Sequence, residues 1–262
     1  MNTEGPLLVE RRDDGVTVLT LSLPDQRNAM TGELTAAWRA AIAELREDAA
    51  LRCVVVTGAG PAFSAGGDLS WLGDTDDATV DSLRTRMSAF YRDWLSIRQV
   101  PVPTIAAVNG AAVGAGLALA LACDLRYTTP RAPLSVPFTG LGLHPGMATT
   151  WSLPEVTSLA VARDLLLTGR VVRGAEALEL GLVSAVVDDV LEHALEVAAT
   201  IADHAPLATR LTKAALARGG HRGIEDALEW EALAQPITMT TADLQEGLTA
   251  QRERRRPRFT GR

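Results

Sequence analysis

Cysteine is scarce in this chain: two residues in 262, Cys53 and Cys123. Both sit inside apolar runs, Arg52-Cys53-Val54-Val55-Val56 and Leu121-Ala122-Cys123. Buried, reduced thiols are expected there, rather than a disulfide or a metal ligand. Long apolar runs are missing too. A membrane-spanning helix needs about 20 apolar residues in succession, and the richest stretch, Ala111 to Ala122, is too short. The opening MNTEGPLLVERRDD holds no apolar signal core. These absences lead to an expectation of a cytoplasmic protein with no membrane span. Excess positive charge is also lacking. The net charge is -7 and the isoelectric point about 5.2, which argues against nucleic acid as a general partner. No metal site is expected. The histidines (His144, His193, His204, His221) lie in separate segments, with no His-x-x-x-His pair and no paired carboxylate motif.

What is present is ordinary globular material. Hydrophobic residues make up 47% and charged residues 22%, so a packed core is affordable and disorder is not indicated. The length suits one large domain, or one domain with a helical appendage. Residues 7–12 and 16–22 read as a hairpin turning at Asp14-Gly15. Thr31 is placed to cap a helix running to about Arg46. Leu51 to Thr57 and Thr104 to Val108 read as buried strands, Leu125 to Thr129 as a strand, and residues 78–98 and Gly114 to Leu121 as helices. This alternation predicts an α/β core over residues 1–200. From about residue 155 the signal is helical (157–167, 174–181, 189–204, 206–218, 223–235, 240–250), with Leu182 to Val187 as a last strand. Residues 201–262 are therefore read as a helical C-terminal region. Five arginines between Arg252 and Arg258 have the composition of a solvated tail.

Two glycine-rich segments follow buried strands. The first is Thr57-Gly58-Ala59-Gly60-Pro61-Ala62-Phe63-Ser64-Ala65-Gly66-Gly67-Asp68. The second is Asn109-Gly110-Ala111-Ala112-Val113-Gly114-Ala115-Gly116-Leu117. Small residues let a ligand approach the backbone. The second segment opens a helix, whose first N–H groups are unpaired and lie at the positive end of its dipole. One N–H from each segment could grip a carbonyl oxygen that becomes anionic. A nucleotide-binding reading of Val54-Val55-Val56-Thr57-Gly58-Ala59-Gly60 fails on context, because Ala62-Phe63 stands where a third glycine is needed.

Ala62-Phe63-Ser64-Ala65-Gly66-Gly67-Asp68-Leu69 resembles the first signature of the crotonase (enoyl-CoA hydratase/isomerase) superfamily. Pro103 to Gly110 and Gly114-Ala115-Gly116 resemble the second, and Cys123-Asp124-Leu125-Arg126 follows at the family's spacing. Arg27-Asn28-Ala29-Met30, Leu167-Thr168-Gly169-Arg170, the stretch from Ala175 to Val183 and the tail Arg254 to Phe259 match in order. The resemblance implies an α/β fold, a crotonase-like spiral of ββα units with a C-terminal helical trimerisation region, in a homotrimer or hexamer. It implies an acyl-CoA or enoyl-CoA ligand, with coenzyme A entering as thioester substrate and no permanently bound cofactor. It implies oxyanion-hole N–H groups at Gly67 and Ala115, and coenzyme contacts at Arg27, Ala62, Phe63, Ala65 and Phe259.

The chain departs from the family's hydratase pattern at its acids. Hydratases of the family carry glutamates at the positions of Ala118 and Phe138, and other branches an aspartate at that of Gly146. Hydration requires a base for water and a proton donor, each contributing about 10²–10⁴-fold, so ordinary hydratase activity is not expected. His144 is the replacement candidate, since histidine titrates near neutral pH; a histidine bonded to its own loop is the plainer reading. Tyr91 and Asp93 lie on the helix after the first loop, where some members place pocket residues. Asp68 reads as a loop cap. Ala118, Phe138 and Trp151 would make an apolar acyl pocket. Two functions compete: a thioester enzyme of the lyase or isomerase type, and a non-catalytic acyl-CoA binder on the same scaffold.

Overall fold

The computed structural model describes residues 4–68, 78–217 and 223–262; Leu69 and His221 lie outside them. Strands β1 (Leu7–Arg11) and β2 (Val16–Leu21) form the expected antiparallel hairpin. Parallel to β2 run β3 (Cys53–Gly58), β5 (Thr104–Val108), β7 (Leu125–Thr128) and β9 (Ala185–Val186), in the order β1-β2-β3-β5-β7-β9. β3 and β5 are the β-branched or small-residue runs that sequence reading assigns to a sheet buried on both faces. Their side chains alternate. Val54, Val56, Ala106 and Val108 face the larger core. Cys53, Val55, Ile105 and Ala107 face a smaller one, which is closed by Val190, Ala194 and Ala198 of a helix at Val190–Ala202.

A second sheet was not expected. It consists of β4 (Ala62–Ser64), β6 (Ala111–Val113) and β8 (Leu134–Ser135), all parallel. Two of these strands lie inside the segments read as glycine-rich loops. Each follows a strand of the large sheet, and a helix comes next: α2 (Val80–Leu95) after β3 and β4, α3 (Ala115–Ala122) after β5 and β6, and α4 (Thr149–Val156), also missed in the sequence, after β7 and β8. This repetition is the ββα spiral.

α1 (Gly32–Glu47) precedes β3. The Thr31 hydroxyl accepts from the Leu34 N–H, and Leu34, Trp38, Ala41, Ile42 and Leu45 are buried at helical spacing. α1 and α2 lock together through stacked Trp38 and Trp94, whose ring centroids are 5.0 Å apart. The Trp94 Nε1–H donates to Thr35 Oγ1 at 3.0 Å. α3 has eight residues and all are buried, as its wholly apolar sequence requires.

The C-terminal half is α5 (Leu159–Thr168), α6 (Gly174–Glu179), α7 (Val190–Ala202), α8 (Pro206–Ala217), α9 (Ile224–Met239) and α10 (Ala242–Glu253). The division read at residue 200/201 falls in the last turn of α7. α8 is fastened to the sheet by Lys213, the one lysine of the sequence. Its buried Nζ donates to Val102 O at 2.7 Å and lies 2.8 Å from Asp124 Oδ2. Asp124 in turn accepts from the Thr104 N–H and Oγ1–H.

The arginines of the tail are exposed, as a solvated run would be, but the tail is not loose. It folds back on α10, where Asp243 accepts from the N–H groups of Thr260 and Gly261 at 2.7 and 2.8 Å. Glu246 takes both terminal nitrogens of Arg255 and the Arg258 N–H. These bonds, Arg255 first, hold the Glu246 carboxyl down to about 2.

Candidate active site

The two glycine-rich segments meet at Gly66. Its φ of +93° suits glycine, and a Cβ there would stand 2.5 Å from Val113 O and 3.2 Å from Ala115 N. A Cβ at Gly116 would overlap Ser64 O. The backbones are therefore in direct contact, which explains the glycines at both places. Ala115 is the first residue of α3, so its N–H has no acceptor within the helix and stands at the positive end. On the other segment the Met30 N–H donates to Gly66 O, and Met30 bridges Gly67 in parallel register.

Gly67 and Ala115 line one cleft of about 370 Å³. Gly66, Val113 and Gly114 make its floor, with Phe138 beside Gly114. The opposite wall comes from α2, through Leu83, Arg86, Met87, Phe90 and Tyr91. The loop around Leu143, His144, Gly146 and Met147 closes one side. A largely apolar cleft with the start of α3 on its wall can enclose an apolar ligand beside a helix N–H.

The expected residues divide. Gly67, Ala115, Phe138, His144 and Ala65 come together at the cleft. Arg27 is exposed, and its carbonyl accepts from the Ala65 N–H, which puts it beside the first segment. Ala62 and Phe63 are buried, Phe63 completely. Their side chains face the core, so any contact with a coenzyme would be made by their backbone. Ala118 is buried in α3 and is not part of the cleft wall. Trp151 is 50% exposed and lies under Arg98, with 4.8 Å from guanidinium carbon to ring centroid; it is corrected from pocket residue to surface residue. Phe259 packs on Gly247 of α10, away from the cleft of its own chain. Asp93 faces α1, with Arg39 at 3.5 Å. His144 is exposed, and its Nδ1 is 2.8 Å from Pro145 O, the loop-bonded arrangement. Among the described residues, none that lines the cleft is aspartate or glutamate.

Of the α2 wall, Tyr91 was named from the sequence, while Leu83, Arg86, Met87 and Phe90 were missed although their signal existed. Residues 83, 86, 87, 90 and 91 have the i, i+3, i+4, i+7, i+8 spacing of one helix face. Two cysteines stay outside the chemistry. Burial pushes both thiols up to about 12, so neither is a nucleophile at neutral pH.

Comparison with known proteins agrees with this geometry. The family model described as enoyl-CoA hydratase/isomerase matches residues 11–262. The Mycobacterium tuberculosis (strain ATCC 25618 / H37Rv) protein named "Probable enoyl-CoA hydratase EchA14" is 44% identical over 217 residues, covering 81% of this chain and 83% of that one. The Homo sapiens protein named enoyl-CoA hydratase domain-containing protein 2, mitochondrial, is 36% identical over 257 residues, covering 95% and 87%. The crystal structure of an enoyl-CoA hydratase from Bacillus anthracis superposes with a TM-score of 0.92 at 33% identity, covering 98% of this chain and all of that one.

Proposed function

Since the chain belongs to the enoyl-CoA hydratase/isomerase family and has its crotonase fold, we propose that the cleft binds an acyl-CoA thioester and polarises its carbonyl between the N–H groups of Gly67 and Ala115. The observation that supports this reading is the backbone junction at Gly66, next to Ala115, whose N–H has no acceptor within α3 and which lines the cleft with Gly67. Two donors aimed at one oxygen stabilise an enolate formed there, and removing one such donor typically costs about 10²–10³ in rate. The reaction is of the lyase or isomerase type and runs through that enolate. Ordinary hydration is weak, because positions 118, 138 and 146 carry no acid. Coenzyme A enters and leaves with the substrate.

The same absence of acids favours a second reading, a binder of acyl-CoA without turnover. One pair of measurements separates the two. Crotonyl-CoA and longer trans-2-enoyl-CoA are followed by loss of enoyl absorbance, and a saturated acyl-CoA is titrated by calorimetry. Binding with slow turnover is expected. Binding alone selects the second reading, and no binding rejects both.

We further propose a trimer or hexamer built through the helical region. The sixteen-residue helix α9 has no buried residue, while Ile224, Leu228, Leu233 and Ile237 are exposed along it. Such a helix gains from a partner. In that assembly Phe259 and the neighbouring arginines would cover the adenosine end of a ligand in an adjacent cleft. A cytoplasmic location suits two buried, reduced thiols; among the described residues no helix is long and apolar enough to cross a membrane.

A further inference from the structure

Position 146 and Tyr91 compete for one space. A Cβ at Gly146 would stand 2.5 Å from Tyr91 Oη and 3.0 Å from the ring carbon that bears it. The phenol therefore occupies the volume that any side chain at 146 would enter, and Gly146 is what lets it reach the cleft. The ring is held by its edge-on contact with Phe90, centroids 6.2 Å apart. Both residues belong to the cleft wall contributed by α2. Among the described residues no hydrogen bond reaches the Tyr91 hydroxyl. Burial raises its pKa above the ordinary tyrosine value, so at neutral pH it is an intact O–H, able to donate and to accept.

A neutral hydroxyl without a partner among the described residues, on a wall that is apolar apart from Arg86, is a recognition group for whatever fills the cleft, because a polar group enclosed with an apolar ligand loses its water and is not compensated. The thioester carbonyl is already assigned to the backbone amides. Of the acyl group that would fill the cleft, any further oxygen is one carried on the chain itself. Addition of water to an enoyl thioester places that oxygen on carbon 3.

We propose that Tyr91 is a specificity-determining residue whose hydroxyl hydrogen-bonds an oxygen on carbon 3 of the acyl group, so that the cleft prefers 3-hydroxyacyl-CoA to the saturated acyl-CoA of equal length. This rests on the acyl-CoA reading given above. It assigns to a phenol on α2 the polar contact that an acid on the loop at 146 would otherwise make, and it explains why that loop position is glycine.

The experiment is calorimetric titration of the full-length protein with butyryl-CoA and 3-hydroxybutyryl-CoA, for wild type, Tyr91→Phe, Gly146→Ala and the double variant. Wild type is expected to bind the hydroxyacyl thioester about 5- to 10-fold more tightly, the value of one hydrogen bond. Tyr91→Phe keeps the ring packing and should abolish that ratio while leaving butyryl-CoA affinity within about twofold. Gly146→Ala displaces the hydroxyl with Tyr91 still present and should lower the ratio too. In the double variant the Gly146→Ala substitution should change the ratio no further, since the two act on one contact. A ratio of one in wild type, or a ratio unchanged in Tyr91→Phe, overturns the assignment. Equal losses for both ligands in Tyr91→Phe also overturn it, by showing a purely structural role. If wild type binds neither thioester, the acyl-CoA reading itself fails, and the Tyr91 assignment with it.

Discussion

At the scale of single residues, the site depends on positions that have no side chain. Gly66→Ala is the direct test. The new methyl meets Val113 O at 2.5 Å and Ala115 N at 3.2 Å, at a φ of +93°. Both neighbours are backbone and cannot rotate away. Non-glycine residues in such conformations cost about 1–3 kcal/mol, so a melting temperature lowered by several degrees is expected. Acyl-CoA affinity should fall as well, because the Ala115 N–H must move. Unchanged affinity in calorimetry would place ligand recognition elsewhere. Much of this was legible in the sequence, since two glycine-rich segments after buried strands already suggest close backbone approach. Trp151 was not legible: an aromatic residue near a pocket loop reads the same whether it faces the cavity or the Arg98 guanidinium. The full burial of Phe63 was equally hidden, for a strand of three residues shows no period.

At the scale of elements, the long strands and helices could be read because their patterns repeat. α1 buries five apolar residues at helical spacing under a threonine cap, and the hairpin β1-β2 turns where Asp14-Gly15 stands. The strands of the second sheet have two or three residues each, too few for alternation to register. They are defined by their neighbours in space instead. α8 is likewise placed by contacts distant in sequence, those of Lys213 and the bonds from Arg210 Nη2 to Ala49 O and Leu51 O. Lys213 loses its water and recovers the cost through Val102 O and Asp124. Lys213→Met keeps the apolar stem but leaves Asp124 without its ammonium partner, with the Thr104 bonds remaining. Since Asp124 is partly open to solvent, the loss expected is about 1–3 kcal/mol, below the range for fully buried pairs. Thermal or urea unfolding measures it. A variant as stable as wild type would mean that the apolar contacts of α8 and the bonds of Arg210 hold it without Lys213.

At the scale of the whole molecule, one helix carries apolar side chains that the chain itself does not cover. α9 exposes its apolar side chains and buries none, while the tail is bonded firmly to α10 through Asp243 and Glu246. Light scattering is expected to give three or six times the chain mass of 27.8 kDa. Substituting Leu228 and Leu233 by glutamate should shift that mass toward the single chain, and a wild-type mass of one chain would remove the basis for a shared coenzyme site.

The contact between Gly66 and Ala115 has a practical consequence. Its two halves are distant in the chain and touch only when the large and small sheets are both assembled. A ligand gripped there binds the native state and not the unfolded one. Its free energy of binding adds to that of folding, by about 2.7 kcal/mol at a hundred times Kd. The melting temperature can thus serve as a gauge of occupancy. A library of coenzyme A thioesters could be ranked by the heat each allows the protein to withstand, before any reaction is known.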